Sequence, residues 1–209
     1  MNTVIDPNQR LERNADKTRR LILEAAFQEI YRHGYQGMRL DVVLSATGLT
    51  KGALYHHFPN KQALGYAVVD EVIRDMVQHI WTLPLAASDA PLDSIVQFIG
   101  HMGEILGADI VTYGCPVNNL AQEMSPIDEG FRVRLDQVYQ EWRSGIQQAL
   151  ERAQRSGDLR GGLDCGHLAT FVLASISGCI GAAKNAQSLE QLHNCGAMLV
   201  DYLQSLRIA

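Results

Sequence analysis

Cysteine is scarce in this chain of 209 residues, and its four positions form neither a metal-binding pattern nor a scaffold pattern. No two cysteines have the Cys-x-x-Cys spacing of a zinc site, and four thiols are too few for a disulfide-stabilised fold of this length. Cys165 and His167 lack the remaining ligands of a metal site. We therefore expect no metal and four reduced thiols, at Cys115, Cys165, Cys179 and Cys195.

Long hydrophobic runs are also missing. Residues 1–20 are polar, so no signal peptide is expected. The apolar stretch at residues 165–186 contains His167 and Lys184 and is too short and too polar to span a bilayer. The sequence predicts a cytoplasmic protein without membrane association.

The chain has no strand-like alternation of useful length, whereas apolar residues recur at helical spacing throughout. A nucleophile elbow and a phosphate-binding loop are both absent, and the acidic residues are scattered. We expect an all-α protein that is not an enzyme and needs no cofactor.

Positive charge is in deficit over the whole chain, whose formal net charge is −5, but it is concentrated near the N-terminus. Residues 1–64 hold nine lysines and arginines against six acids, a net charge of +3, which leaves −8 on the remainder. A basic segment on an acidic body is typical of a DNA-binding head joined to a domain with another task.

The most informative stretch is residues 49–64, LTKGALYHHFPNKQAL. Thr50 and Asn60 are expected to cap two successive helices, the first of them very short. Only Leu54 and Phe58 of this first helix face inward, at a spacing of one helical turn. The face left exposed is small, polar and cationic, which suits a helix that enters the major groove of DNA.

Two preceding helices are expected to brace this stretch. Asp16 can cap a helix that runs to about His33 and stops at Gly34, and a shorter helix fits residues 39–47. Gly48 then turns the chain into the stretch above. Two short helices joined at a glycine and packed under a longer one form a helix-turn-helix unit.

The segment before this unit, residues 1–15, is predicted to be a disordered tail. The alternative is a basic arm that reaches a neighbouring DNA groove through Arg10 and Arg13. Cations at the start of the first helix, such as Arg19, oppose the helix dipole, so an anionic partner such as phosphate would compensate them.

Residues 34–64, GYQGMRLDVVLSATGLTKGALYHHFPNKQAL, resemble the DNA-binding head of TetR/AcrR-type transcriptional regulators. The specific parts are the glycine turn, KGALYHHF and the following NK pair. The resemblance implies that Tyr55, His56 and Lys61 hold phosphates. It also implies that the residues opening the recognition helix approach bases and backbone, namely Thr50, Lys51, Gly52 and Ala53.

The sequence departs from the family where the second helix begins. Met38 and Arg39 stand where the family usually has a Thr or Ser cap, and Arg39 is expected to contact a phosphate or base instead. Tyr55 could alternatively be a packed aromatic, and His56 and His57 a solvated helix end. Because the inward position is already filled, we expect Tyr55 and His56, but not His57, to contact DNA.

The helical pattern from Lys61 continues to near Pro84, farther than the head requires, and is expected to link head and body. The resemblance implies a DNA-binding domain at residues 16–64 and an effector-binding and dimerisation domain at 65–209. The body is expected to be helical, giving about nine helices, with segments at residues 92–106, 115–122, 127–156, 165–185 and 189–206.

The helix predicted at residues 165–185 is rich in small residues. Gly178 and Gly181 lie one turn apart, which favours close packing of another helix. We expect this helix and the last one to form half of a four-helix dimer interface, since two recognition helices are needed to read two half-sites. The alternative is a monomeric core.

Several aromatic and polar residues of the body are candidates for lining an effector pocket, and the alternative is that they are core. Their character would suit a small hydrophobic or amphipathic effector. These residues are Phe98, His101, Met102, Tyr113, Cys115, Asn118, Tyr139 and Trp142. Cys115 belongs to a GCP segment similar to those of some TetR-like bodies, and its pKa is expected to fall near a helix N-terminus.

The predicted function is that of a homodimeric repressor that binds a palindromic operator and is released by a small hydrophobic effector. The first alternative is a redox- or electrophile-sensing regulator switched through Cys115. A second is an enzyme or binding module that has lost DNA recognition. Activation instead of repression would depend on where the operator lies.

Overall fold

Helices make up the described part of the computed structural model, which covers residues 7–208, with side chains described for residues 15–208. Within these residues the only β-pairing is an isolated bridge between Leu159 and Arg207. The all-α prediction is confirmed. The chain divides into two compact units, Met1–Val72 and Ile73–Ala209.

The first unit contains four α-helices: α1 (Pro7–Gly37), α2 (Leu40–Thr47), α3 (Lys51–His57) and α4 (Lys61–Ala67). Helix α1 begins at Pro7 instead of Asp16, which corrects the predicted extent of the disordered tail. Residues 1–6 and the side chains of Arg10 and Arg13 lie outside the described residues. Gly34, with φ 74°, ends the regular geometry of α1 as predicted.

Helix α1 packs against α2, α3 and α4 and supplies the largest share of this core. Because α2 and α3 are too short to be stable alone, this packing holds them in place. The buried apolar side chains recur at helical spacing, as predicted for α1. They are Ile22, Leu23, Ala26, Ile30, Met38, Val43, Leu54, Phe58 and Leu64.

Helical backbone continues without interruption from residue 61 to residue 87, and it includes π-helical segments at Val68–Ile73 and Gln78–Thr82. The predicted stop near Pro84 is wrong, since Pro84 lies within α6 (Leu83–Ala87). Pro84 occupies one of the first positions of α6, directly after a π-helical turn, where a missing N–H disturbs the hydrogen-bond ladder least.

The second unit is built around α11 (Glu129–Ser156), which packs against α7 (Pro91–Gly100), α10 (Pro116–Met124) and α12 (Cys165–Ala186). Helix α12 also packs against α9 (Asp109–Tyr113) and α13 (Leu189–Ser205). The remaining α-helices of this unit are α5 (Arg74–Val77), α6 and α8 (Met102–Leu106). The helix predicted at residues 92–106 is broken at His101 into α7 and α8, and α9 was not predicted.

Ion pairs join distant segments of the second unit. Arg74 donates to Glu141 of α11 over 2.8 Å, and Arg207 bridges the carboxylates of Asp93 and Asp158. Of the described helices, α12 is the one long and apolar enough to cross a membrane. In this fold it is instead packed between α9, α11 and α13.

The cysteine prediction is partly wrong. Cys179 of α12 and Cys195 of α13 are joined by a disulfide, whereas Cys115 and Cys165 are free and buried. The two bonded cysteines are 16 residues apart in sequence. The sequence spacing did not reveal the pairing, because it depends on which faces of α12 and α13 meet.

Candidate nucleic-acid interface and ligand groove

The recognition helix α3 has one inward and one outward face. Leu54 is buried in α3, and Phe58, the residue that ends the helix, is buried as well. The exposed residues Lys51, Gly52 and His56 lie on the outside, together with Tyr55, whose side chain is 47% exposed. The structure thus presents the predicted cationic face to solvent.

The backbone at the start of α3 is both capped and accessible. The hydroxyl of Thr50 accepts a hydrogen bond from the backbone N–H of Ala53 over 3.2 Å. A Cβ added to Gly52 would have the Thr50 hydroxyl oxygen as its nearest neighbour, at 3.8 Å. The chain therefore offers a fixed first turn that another molecule can approach at the level of the backbone.

Lys61, at the start of α4, has partners within the first unit. Its ammonium donates to the carbonyl oxygen of Gln36 over 3.0 Å and lies 5.0 Å from the centre of the Tyr35 ring. The cation is thus held near the turn between α1 and α2. An ammonium has three donors, so this geometry leaves Lys61 capacity for an additional anionic ligand.

Arg39 precedes α2 and makes no side-chain cap there. Its guanidinium instead donates to Asp41 over 2.6 Å, and this hydrogen bond lowers the pKa of the Asp41 carboxyl group below its usual value. The backbone N–H of Arg39 donates to Glu29 of α1 over 3.4 Å, while Met38 is buried. A phosphate at Arg39 would have to compete with Asp41.

His57 differs from its neighbour His56 in being partly buried. Burial lowers the pKa of the His57 imidazole, and the charges of His56 and Arg19 lower it further. His57 is therefore neutral near pH 7, which is unfavourable for binding phosphate.

A polar cluster that sequence reasoning missed supports the end of α3. The Arg19 guanidinium of α1 donates to Glu71 over 2.7 Å and lies 4.8 Å from the centre of the Phe58 ring. Glu71 is therefore an anionic partner of Arg19 within the first unit. Residues 19 and 71 are too far apart in sequence for local patterns to reveal the pair.

The second unit has a groove of about 750 Å³ between α10, α11 and α12. It is lined by Leu173 and several small residues of α12, together with charged and amide side chains. A smaller groove of about 430 Å³ shares three of its residues. The lining of the larger groove consists of Asn118, Gln122, Asp136, Tyr139, Gln140, Arg143, Thr170, Leu173, Ala174, Ser177, Gly178, Gly181 and Ala182.

Of the predicted effector-pocket residues, the groove contains Asn118 and Tyr139, and the Tyr139 hydroxyl donates to Asn118 over 3.2 Å. Burial raises the pKa of the Tyr139 hydroxyl above its ordinary value, so it remains a donor. Phe98 and Trp142 instead pack against Trp81, with ring centres 3.9 Å and 5.5 Å away.

The other predicted pocket residues lie elsewhere. Met102 is buried, and His101 is exposed where α7 ends, with its ring donating to the Gln97 carbonyl oxygen over 2.9 Å. Tyr113 ends α9, and its carbonyl oxygen accepts a hydrogen bond from Asn119.

Cys115 precedes α10 and is buried, so its thiol is shielded from water. Burial raises the pKa of the Cys115 thiol, although the backbone N–H groups of Asn118 and Val117 act in the opposite direction. The expected fall in pKa is therefore wrong. A buried neutral thiol is a weak nucleophile, so Cys115 lacks the property on which its proposed sensor role depended.

Known proteins match both parts of the chain. Residues 22–68 match the family described as "Bacterial regulatory proteins, tetR family", and residues 91–198 match the C-terminal domain of LmrA/YxaF-like transcriptional regulators. The HTH-type transcriptional regulator LmrA of Bacillus subtilis is 30% identical over 182 residues, covering 85% of this chain and 94% of LmrA. The HTH-type transcriptional repressor DhaR of Mycobacterium sp. strain GP1 is 28% identical over 174 residues, covering 83% and 86% respectively.

A solved structure has the same fold. The crystal structure of a TetR transcriptional regulator from Chloroflexus aurantiacus J-10-FL has a TM-score of 0.82 and 26% identity, and the match covers 94% of this chain and 100% of that one. These matches agree with the helix-turn-helix geometry of the first unit and the helical second unit. The chain belongs to the TetR family of DNA-binding transcriptional regulators and is not an enzyme.

Proposed function

We propose that this chain is a cytoplasmic homodimeric repressor that binds a palindromic operator and is released by a small amphipathic effector. In this proposal residues 16–64 read DNA, and residues 65–209 dimerise and bind the effector. The observation that carries the proposal is the exposed cationic face of α3 on a capped and buttressed short helix. The relative DhaR is named as a transcriptional repressor, which supports repression instead of activation for this chain.

The proposed DNA contacts combine backbone and side-chain donors. Tyr55, His56 and Lys61 hold phosphates, while the first turn of α3, with Lys51 and Gly52, approaches base edges and the DNA backbone. The further contacts are Arg39, Thr50 and Ala53. Contacts to phosphates position the protein, and the small residues give the helix access to the groove.

The first experiment is selection of DNA fragments bound by the purified protein. We expect a palindrome whose half-sites lie about one or one and a half helical turns apart, because two recognition helices bind one duplex. Binding that depends on salt but yields no consensus would refute an operator-specific regulator.

The phosphate contacts are tested by the salt dependence of binding to the selected fragment. Lys51→Ala should reduce the slope of log affinity against log salt by about 0.9 for each protomer, since one counterion fewer is released. Arg132→Ala is a matched control that removes one exposed cation of the second unit, where Arg132 pairs with Glu129 over 2.6 Å. Equal slopes for Lys51→Ala and the wild type would contradict the assignment.

The proposed dimer surface lies on α12 and α13. Phe171, Met198 and Tyr202 are large apolar side chains that are 50%, 67% and 41% exposed, and the rings of Phe171 and Tyr202 are 5.2 Å apart. Gly178 of α12 is also exposed and belongs to the small-residue stretch of this helix. Such a patch favours a protein partner, and a second copy explains how two recognition helices come together.

Gly178→Gln tests this surface. Nothing lies within 4 Å of a Cβ added to Gly178, so the protomer should tolerate a larger helix-forming residue there. We expect the variant to weaken the dimer at least tenfold in sedimentation equilibrium. Gly100→Gln is the control, because Gly100 is also helical, exposed and open. A normal dimer of the Gly178 variant would place the interface elsewhere.

The effector is proposed to bind the groove between α10, α11 and α12. Leu173 and the small residues of α12 suit an apolar body, and Arg143, Asp136 and Gln140 offer hydrogen bonds to a polar end. Ala174 and Gly178 border both the groove and the dimer surface, so occupation of one affects the other. A coupling of about 1–3 kcal/mol changes DNA affinity about 5- to 150-fold.

Filling the groove tests this site. Gly181→Leu adds a side chain where nothing lies within 4 Å of the new Cβ. The variant should lose release in a screen of amphipathic compounds against its complex with the selected fragment. Its dimerisation and DNA affinity are measured beside the screen, because Gly181 also belongs to the small-residue face proposed for dimer packing. His101→Leu, which lies outside the groove, should be released normally. Release of the Gly181 variant at wild-type concentrations would contradict the assignment.

A further inference from the structure

A covalent bond joins the last two helices, and the proposed function leaves it unused. Cys179 of α12 and Cys195 of α13 form a disulfide, with Cα atoms 5.5 Å apart. This distance lies in the ordinary range for disulfides, so the folded backbone positions the two sulfurs to form the bond. The fold itself therefore provides a dithiol that is ready to oxidise.

The disulfide lies at the edge of the proposed dimer surface. Met198 and Tyr202 follow Cys195 by three and seven residues, which places all three along one side of α13. On α12, Cys179 is adjacent to the exposed Gly178. Formation or loss of this bond therefore occurs beside the exposed side chains that a second copy would contact.

The two sulfurs differ in accessibility. Cys195 is partly exposed in the protomer, whereas Cys179 is buried. In the free protomer a small oxidant would reach Cys195 before Cys179, and Cys179 is the adjacent thiol that can resolve the oxidised product. Cys115 and Cys165 are both buried and free, so neither combines exposure with a partner.

The compartment determines how this bond should be interpreted. A DNA-binding regulator works where cellular reductants keep thiols reduced, and disulfides found there are commonly transient and redox-sensing. The reduced dithiol is then the resting state. The disulfide state follows exposure to an oxidant.

We propose that Cys179 and Cys195 are a reversible peroxide-sensitive site, at which disulfide formation alters the dimer surface and weakens operator binding. This inference rests on the proposed function, because it assumes that the resting protein binds DNA as a dimer. It assigns the redox response to a cysteine pair distant from Cys115 in sequence.

The chemistry balances with hydrogen peroxide as the oxidant. The Cys195 thiolate attacks one peroxide oxygen, an S–O bond forms, the O–O bond breaks, and the leaving hydroxide is protonated to water. The Cys179 thiolate then attacks the Cys195 sulfur, the S–S bond forms, and the S–O oxygen leaves as a second water. Two thiols lose two electrons in total, and peroxide accepts them. Dithiothreitol returns both electrons by thiol–disulfide exchange.

A change in the redox state of Cys179 and Cys195 can alter the proposed dimer surface through α13. Two sulfurs that share no bond cannot lie as close as a bonded pair, so reduction requires side-chain rotation or a shift of α13. Gly196 limits that shift on one side, because a Cβ added there would lie only 3.2 Å from the Ile99 carbonyl oxygen of α7. The backbone of α13 is therefore closely packed against α7 at Gly196, whereas the side that carries Met198 and Tyr202 is exposed in the protomer.

The experiment compares reduced and oxidised full-length protein. The chain is reduced with dithiothreitol, freed of reductant under anaerobic conditions, and treated with hydrogen peroxide, and alkylation with peptide mapping identifies which thiols have paired. Fluorescence anisotropy measures affinity for the selected fragment, and sedimentation equilibrium measures dimerisation. Cys179→Ser and Cys195→Ser are measured beside the wild type.

We expect oxidation to weaken operator binding by tenfold or more, dithiothreitol to restore it, and both serine variants to bind like the reduced wild type without responding to peroxide. Equal affinity of verified dithiol and disulfide forms would overturn the inference. So would a disulfide that resists dithiothreitol in the folded protein, or a response that persists in both variants.

Failure of the proposed function gives a different result. If the reduced wild type binds no DNA fragment selectively, the proposal of an operator-specific regulator fails. The redox site is then tested by sedimentation equilibrium alone. A tenfold change in the dimer dissociation constant between the two forms would support the redox site, and an unchanged constant would overturn it.

Discussion

Substitutions at Gly48 and Gly52, which lie on either side of Thr50, should affect folding stability and DNA affinity independently. Gly52 lies in the first turn of α3, where an added Cβ would make only an ordinary van der Waals contact with the Thr50 hydroxyl at 3.8 Å, so Gly52→Ala should raise the free energy of unfolding by about 0.5–1 kcal/mol through helix propensity. The added methyl group nevertheless stands on the face proposed to approach DNA. If it removes one contact worth about 1 kcal/mol per half-site, a dimer loses about 2 kcal/mol, or about 30-fold in affinity.

Gly48→Ala is the matched control. Gly48 has φ 68° at the end of α2, and nothing lies within 4 Å of an added Cβ. The cost is therefore purely conformational, about 1–2 kcal/mol for a left-handed residue other than glycine. This variant should unfold at a lower temperature yet bind the selected fragment with wild-type affinity where it is folded.

The two measurements are thermal unfolding and fluorescence anisotropy with the selected fragment. Gly52→Ala should be more stable and bind more weakly, and Gly48→Ala should be less stable and bind normally. Wild-type affinity of Gly52→Ala would refute close approach of the α3 backbone to DNA. Parallel loss of stability and affinity in both variants would show that binding follows folding alone.

Three further predictions concern packing, capping and thiol chemistry. Gly196→Ala should destabilise the second unit by about 1–2 kcal/mol, because its Cβ would lie 3.2 Å from the Ile99 carbonyl oxygen, whereas Gly181→Ala should be neutral or stabilising in thermal unfolding. Asn60→Ala should cost about 1 kcal/mol in chemical denaturation through loss of the α4 cap. Cys115 should resist iodoacetamide in the folded protein at pH 7, because burial raises its pKa. Since the pKa of the Cys115 thiol is higher in the folded than in the unfolded state, this thiol should lower the free energy of unfolding as pH rises above about 8.5. Rapid labelling of Cys115 in the folded protein, detected by mass spectrometry, would contradict its burial.

Local interactions explain why parts of the fold could be predicted. Thr50 and Asn60 accept hydrogen bonds from backbone N–H groups three residues ahead, at 3.2 and 2.7 Å, which is the geometry that sequence spacing anticipates. Leu54 and Phe58 are buried because their spacing of one turn places both on the face towards α1.

The residues that line the candidate ligand groove were predicted less well, because they depend on which helices meet. Phe98 and Trp142 have the aromatic character expected of pocket residues, but they pack into an aromatic core with Trp81. Arg143 and Asp136 gave no distinctive signal in the sequence, yet they border the groove since α11 passes beside α10 and α12.

The sequence by itself determined the all-α class, the caps of α3 and α4, the inward face of α3 and the family, because these depend on contacts within a few residues and on a continuous motif. Only the tertiary structure decided the pairing of Arg19 with Glu71, the raised pKa of the Cys115 thiol and the bond between Cys179 and Cys195. Each of these depends on burial or distance between segments, and both are set by helix packing after the local elements have formed.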